Sequence, residues 1–343
     1  MFVLALLAAL AGACALRAET PPGLAALTND RVFEFPERNW ERLGVSDREI
    51  RFLERVYNGD GIEAFHIAYK SSSFHVTGFL ARPYIKLDKV TQKPETIYPA
   101  VILNHGSDQG FGPAYREVAL ALARRGYVVA GSTYRGQRGR EGRSQGLKQY
   151  ARNEVIDVLQ LTELVRKQEW VDSLRMAVIG QGHGASIAAQ AIGRSNVFRA
   201  AVLVSPLMFS GSPVYRYGGI RDLAAMSDEL FGRNLSEREL MRELRYRDTF
   251  RFADRIRTPV LILAPEHAPG RDTLDLWLTL LREKGIEHRT LPYPGMFADF
   301  LFAVDNGTRP SDWPRMRSHG WASIFEWVEA YAPPNPPEES LEE

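Results

Sequence analysis

Apolar positions in the later two-thirds of the chain fall into short continuous runs rather than a strict alternation. Pro99–Asn104, Tyr127–Thr133, Arg175–Gly180, Ala200–Ser205 and Pro259–Ala264 read as strands buried on both faces. Helical patterns separate them at Tyr115–Arg125, Leu147–Glu169 and Gly184–Gly193. A helix at Asp272–Lys284, a strand at Glu287–Tyr293 and a last helix at Pro314–Tyr331 follow. This interleaving predicts an α/β fold with a mostly parallel sheet covered by helices on both faces. Ligands in such sheets bind outside the carboxyl ends of the strands. Residues 206–250, rich in Met, Arg, Tyr and Glu, read as an insertion over that edge. Upstream, Ile62–Tyr69 and Phe74–Arg82 read as a hairpin turning at Ser71-Ser72-Ser73, and 83–97 as a polar loop. Ser46 with Glu49 has capping-box spacing and predicts a helix over Asp47–Tyr57.

The resulting domain plan is a leader over 1–18, an N-terminal extension over 19–60, the main domain over 61–331 and an acidic Pro-rich tail over 332–343 that reads as disordered. Met1–Leu10 is an apolar run too short to span a bilayer, followed by small residues up to Ala18, which predicts an exported protein, periplasmic or extracellular. Cys14 after Leu10-Ala11-Gly12-Ala13 loosely resembles a lipoprotein box, so a lipid anchor there is the one membrane association foreseen. Lys and Arg total 43 against 42 Asp and Glu, a net charge of +1, which offers no global field for nucleic acid. A single cysteine excludes a disulfide framework and a Cys-based zinc site.

Five local sequences, in order, carry a resemblance. Asn104-His105-Gly106 ends a strand. Tyr134-Arg135-Gly136 follows the next one. Gly180-Gln181-Gly182-His183-Gly184 joins a strand to a helix. Ile256-Arg257-Thr258-Pro259-Val260-Leu261-Ile262 and Tyr293-Pro294-Gly295 complete the set. Over about residues 60–331 the chain resembles the α/β-hydrolase superfamily, and within it the prolyl oligopeptidase and dienelactone hydrolase group. The resemblance implies that 180–184 is the nucleophile elbow, where a sharp strand-to-helix turn lifts one side chain above the sheet. It also implies that His105 and Gly106 form the oxyanion turn, with Tyr134, Arg135 and the backbone of His183 bordering the pocket.

The elbow glycines are in register, yet the nucleophile position holds Gly182. The same alignment puts Ala268 where the orienting acid belongs and Ala298 where the base belongs. A triad needs all three groups within hydrogen-bond reach, and here no triad member is present. Glu266, His267 and Asp299 are the polar residues nearest the vacated positions. With His183 they would offer two imidazoles and two carboxylates, without the spacing of a helical metal site, so neither metal nor cofactor is expected. Ser107 and Ser186 read as structural hydroxyls. Arg135, Arg138, Arg140 and Arg143 suggest recognition of a small anionic ligand.

The expectation is therefore an exported pseudohydrolase that keeps a pocket for an anionic ligand or a protein partner. Two alternatives stay open. One is a working serine hydrolase of esters or peptides with a displaced centre. The other is a non-hydrolytic acid–base enzyme using His183, His267 or Asp299.

Overall fold

Along the chain the strands are β1 (Arg51–Gly59), β2 (Ile62–Ser71), β3 (Phe74–Pro83), β4 (Tyr98–Asn104), β5 (Val128–Ser132), the two-residue pair β6 (Arg138–Gly139) and β7 (Gly142–Arg143), then β8 (Val171–Gln181), β9 (Phe198–Val204), β10 (Val260–His267) and β11 (His288–Phe297). The helices are α1 (Pro113–Arg124), α2 (Glu154–Arg166), α3 (His183–Arg194), α4 (Ile220–Ala225), α5 (Ser227–Phe231), α6 (Glu237–Arg247), α7 (Arg271–Glu283) and α8 (Trp313–Tyr331). These come from a computed structural model that describes residues 40, 44–106, 110–215, 217–302 and 309–336. The leader, Cys14, Ser107 and the end of the acidic tail lie outside the described residues.

One nine-stranded sheet runs β1-β2-β3-β5-β4-β8-β9-β10-β11. Pairing is antiparallel from β1 to β5 and parallel from β5 through β4 to β11. The central strands are buried on both faces, so alternate residues feed two cores. Ala100, Ile102, Val178 and Leu203 join the core under α2, α3 and α7. Val101, Leu103, Ile179 and Val202 join the one under α1 and α8. Each such side chain contributes about 1.5–3 kcal/mol of burial. The chain crosses from one side of β4 to the other between β5 and β8, so the carboxyl ends of β4 and β8 flank the topological switch point. The described helices include none long and apolar enough to cross a membrane.

Two sequence expectations fail locally. Residues 47–57 do not form a helix; most of them are the edge strand β1. Ser46 Oγ accepts from the Arg48 N–H at 3.2 Å and so closes a turn, not a helix cap. Register shifts between Phe52 and Glu54 and between Arg55 and Tyr57 stretch the strand's period from two towards three. Helix α2 starts at Glu154, not near Leu147. The Glu154 carboxylate accepts from the backbone N–H groups of Gln149 (2.5 Å) and Arg152 (3.1 Å), and Tyr150 and Ala151 sit at φ +51° and +56°. The segment 206–250 holds α4, α5 and α6 around a small core of Leu207, Phe209, Leu223, Leu240 and Leu244.

Candidate functional site

Strand β8 runs into helix α3 through Gly182, whose φ of +53° and ψ of −116° lie outside the regions an L-residue adopts without strain. The two flanking glycines are sterically required. A Cβ on Gly180 would strike the backbone of Gly184 and Ala185, and a Cβ on Gly184 would strike the carbonyls of Asn104 and His105. Gly182 itself is different: a Cβ there would meet only Gly106 Cα, at 3.9 Å. The elbow and the space above it persist, with no side chain raised into that space.

A hydrogen-bonded chain crosses the elbow instead. The Gly106 N–H donates to the Tyr115 hydroxyl at 2.8 Å, and that hydroxyl donates to Gln181 Oε1. Gln181 Nε2 then donates to the Ala298 carbonyl at 3.1 Å, which also accepts from Ser205 Oγ at 2.8 Å. The N–H expected to stabilise an oxyanion is therefore engaged by Tyr115, and the position expected to hold the base is tied down through its backbone. Burial raises the Tyr115 pKa, against the lowering effect of the Gly106 N–H, so the hydroxyl keeps the proton it donates. Tyr115, Gln181 and Ser205 were not singled out by the sequence reading. The one available signal was a glutamine inside the elbow motif, and its partners lie on other elements.

The expected pocket residues turn inward. His105 is buried and stacks on Tyr134 at 4.2 Å, while the Tyr134 hydroxyl donates to the His105 carbonyl at 3.1 Å. Tyr134 holds φ +59°, with its N–H bonded to Ser132 Oγ at 3.0 Å. Arg135, expected at the pocket rim, forms a buried ion pair with Asp157, Nη2 to Oδ1 at 2.6 Å and Nε to Oδ2 at 3.0 Å. His183 Nε2 accepts the Ala151 N–H at 2.8 Å, so the neutral ring carries its proton on Nδ1. Its ring stacks on Tyr150 at 4.2 Å. Burial, reinforced by His105, Lys148 and Arg247, pushes its pKa well below the usual histidine value. His183 thus anchors the 149–153 loop under the elbow.

Glu266, His267 and Asp299 do not assemble into a cluster with His183. Glu266 accepts the Gly295 N–H at 2.7 Å, His267 packs on Phe297 at 5.2 Å, and Asp299 makes a two-pronged pair with Arg309 at 3.1 and 3.0 Å. Among the described residues no three His, Cys, Asp or Glu side chains are placed to hold a metal ion. Ser186 Oγ donates to the Leu207 carbonyl at 2.7 Å, a structural bond inside α3 packing.

Residues 113–262, from the start of α1 into β10, match the prolyl oligopeptidase family model, elbow included. Over that stretch the chain is similar to this family. Its fold is that of the α/β-hydrolases, and solved structures agree. The acylaminoacyl peptidase of Pyrococcus horikoshii aligns over 80% of this chain and 42% of its own, at 18% identity and TM-score 0.59. A putative dienelactone hydrolase from Klebsiella pneumoniae aligns over 80% of this chain and all of its own, at 15% identity and TM-score 0.56. In sequence, the uncharacterized peptidase YuxL of Bacillus subtilis (strain 168) is 26% identical over 235 residues, 64% of this chain. The chain spans 33% of the length of that curated relative. The chain therefore has the backbone of a sharp strand-to-helix turn, with Gly182 at its apex.

Proposed function

We propose that this protein is a pseudohydrolase: an α/β-hydrolase-fold protein that does not form an acyl-enzyme and acts through binding. The observation that carries the reading is Gly182 in the strained elbow conformation, bridged by the Gly106–Tyr115–Gln181–Ala298 chain. A glycine offers no nucleophile, and alanine at 268 and 298 offers neither base nor orienter. In serine hydrolases, loss of the nucleophile or base removes about a million-fold in kcat. The apolar run Met1–Leu10 supports export as part of the same reading.

The test is Gly182→Ser. A Cβ has room at this position, so the variant is expected to fold with a loss of about 1–3 kcal/mol from the positive φ. It is expected to hydrolyse a short aryl ester no faster than the parent, because a serine without base or open oxyanion donor is a poor nucleophile. Efficient turnover by the single variant would place a working base near position 182 and overturn the assignment of Ala298.

A further inference from the structure

The amino ends of β9 and β10, at the edge of the sheet opposite the elbow, border a surface cavity of about 330 Å³. Its lining includes Asn196, Phe198, Arg199, Arg257, Pro259 and Tyr331. The volume falls at the lower end of the ~300–1,000 Å³ range of small-molecule sites. Both arginines are held by backbone carbonyls. Arg199 Nε donates to the Leu174 carbonyl at 3.1 Å. Arg257 Nη1 donates to the carbonyls of Asp254 and Ile256, each at 2.8 Å. A neutral carbonyl fixes the direction of a guanidinium without cancelling its charge, and it leaves the other N–H donors of each group available for an anion.

Three further arginines gather on one ring, close in sequence to the lining residues. Arg194, Arg251 and Arg255 lie over the ring of the neighbouring Phe252, at 5.2, 5.3 and 5.4 Å. The Arg194 guanidinium is disfavoured by burial and by Arg251, a repulsion the fold tolerates. Gly193 allows the close contact, since a Cβ there would press on Phe252. Two acids lie in the neighbourhood: Asp248 accepts the backbone N–H groups of Gly211, Phe250 and Arg251 and is favoured by the Arg251 charge, and Glu287 accepts the hydroxyl of the lining Tyr331. None of the five arginines makes an ion pair with a carboxylate among the described residues.

We propose that this cavity is a binding site for a small ligand carrying a carboxylate or phosphate. Arg199 and Arg257 grip the oxyanion, and Phe198, Pro259 and Tyr331 face an apolar body. The site is independent of the elbow and does not depend on whether the elbow is inactive.

Titration calorimetry of the full chain with phenyl phosphate, phenylacetate and neutral benzyl alcohol, at ionic strength fixed with sodium chloride, tests it. One or both anions are expected to bind and the alcohol is not. Arg199→Gln combined with Arg257→Gln is expected to weaken anion binding by about tenfold or more, given the strength of charge-assisted bonds. Arg238→Gln, on the exposed face of α6, leaves it unchanged. Those two arginines also brace backbone carbonyls, so a second measurement uses the unaltered protein. The bound anion should protect Arg199 and Arg257 from phenylglyoxal, read residue by residue by mass spectrometry. The proposal is overturned by no binding up to about 10 mM, by unchanged affinity in the double variant, or by protection spread evenly over all arginines. Preference between the two anions assigns the headgroup.

Discussion

Gly184→Ala is expected to cost at least about 4 kcal/mol, a loss reserved for a few mechanisms, of which forced overpacking of a rigid core is one. The added Cβ would overlap the Asn104 carbonyl and the His105 oxygen, which are backbone atoms at the end of a central strand. No side chain is available there to rotate away. Against a total stability of 5–15 kcal/mol for ordinary domains, such a variant is expected to be largely unfolded near 37 °C. Gly182→Ala makes the informative contrast. It carries the strained φ but has open space above it, so it should lose only about 1–3 kcal/mol. Urea denaturation of both variants measures the difference. A cost below about 1 kcal/mol at 184 would mean that the elbow is not the close strand–helix contact described.

Mild acid is expected to destabilise the fold through two buried histidines. Burial, with Arg116 adding to it and Glu141 opposing it, lowers the His66 pKa to about 4, and His183 is held well below its ordinary value. Glu54 lies 3.6 Å from His66 Nδ1 at the half-exposed edge of the sheet and does not offset the burial. Both rings have folded-state pKa values below 6.5, so the unfolded chain binds the extra protons as pH falls. Stability conferred by keeping them neutral is complete above pH 6.5 and is lost below it, towards each folded-state value. Two groups at about 1.4 kcal/mol per pH unit each give a gross loss of about 4 kcal/mol by pH 5. Carboxyls with raised values, Glu154 and Asp248 among them, act in the opposite sense over the lower part of this range. His183→Gln separates the contributions, because glutamine can still accept the Ala151 N–H but does not titrate. Its stability–pH slope between pH 6.5 and 5 should be shallower than the parent's by up to about 1.4 kcal/mol per unit. Identical slopes would remove His183 from the account.

Much of the fold was legible because continuous apolar runs bounded by glycine and proline leave few readings other than buried parallel strands; β4, β8, β9 and β10 all fall where the runs are. Strand β1 was hidden by the capping-box spacing of Ser46 and Glu49, which suggests a helix start where Ser46 only closes a turn. The start of α2 was hidden for another reason. Arg247, from the insertion, bonds the carbonyls of Gln149 and Tyr150, and no local pattern encodes a contact nearly a hundred residues away.

The elbow shows the same division. Its backbone could be read from glycine spacing, since Gly180 and Gly184 answer to sterics carried by their own neighbours in the motif and the strand beside it. The Tyr115–Gln181–Ala298 bridge could not be, because only Gln181 carries a local signal and the three meet only once the sheet forms. Arg135 illustrates the hazard of reading charge from sequence. A basic loop suggested an anion site, whereas Asp157 on α2 supplies the counter-charge from inside the protein.

The central claim is that the elbow cannot form a covalent acyl-enzyme. Fluorophosphonate labelling of the purified protein, run beside hydrolysis of a short aryl ester and a peptidyl anilide, tests it most directly. The account predicts no labelled serine and no turnover above the buffer rate. Stoichiometric labelling at a mapped serine, with turnover that disappears when that serine is replaced, would contradict it and locate a catalytic centre away from Gly182.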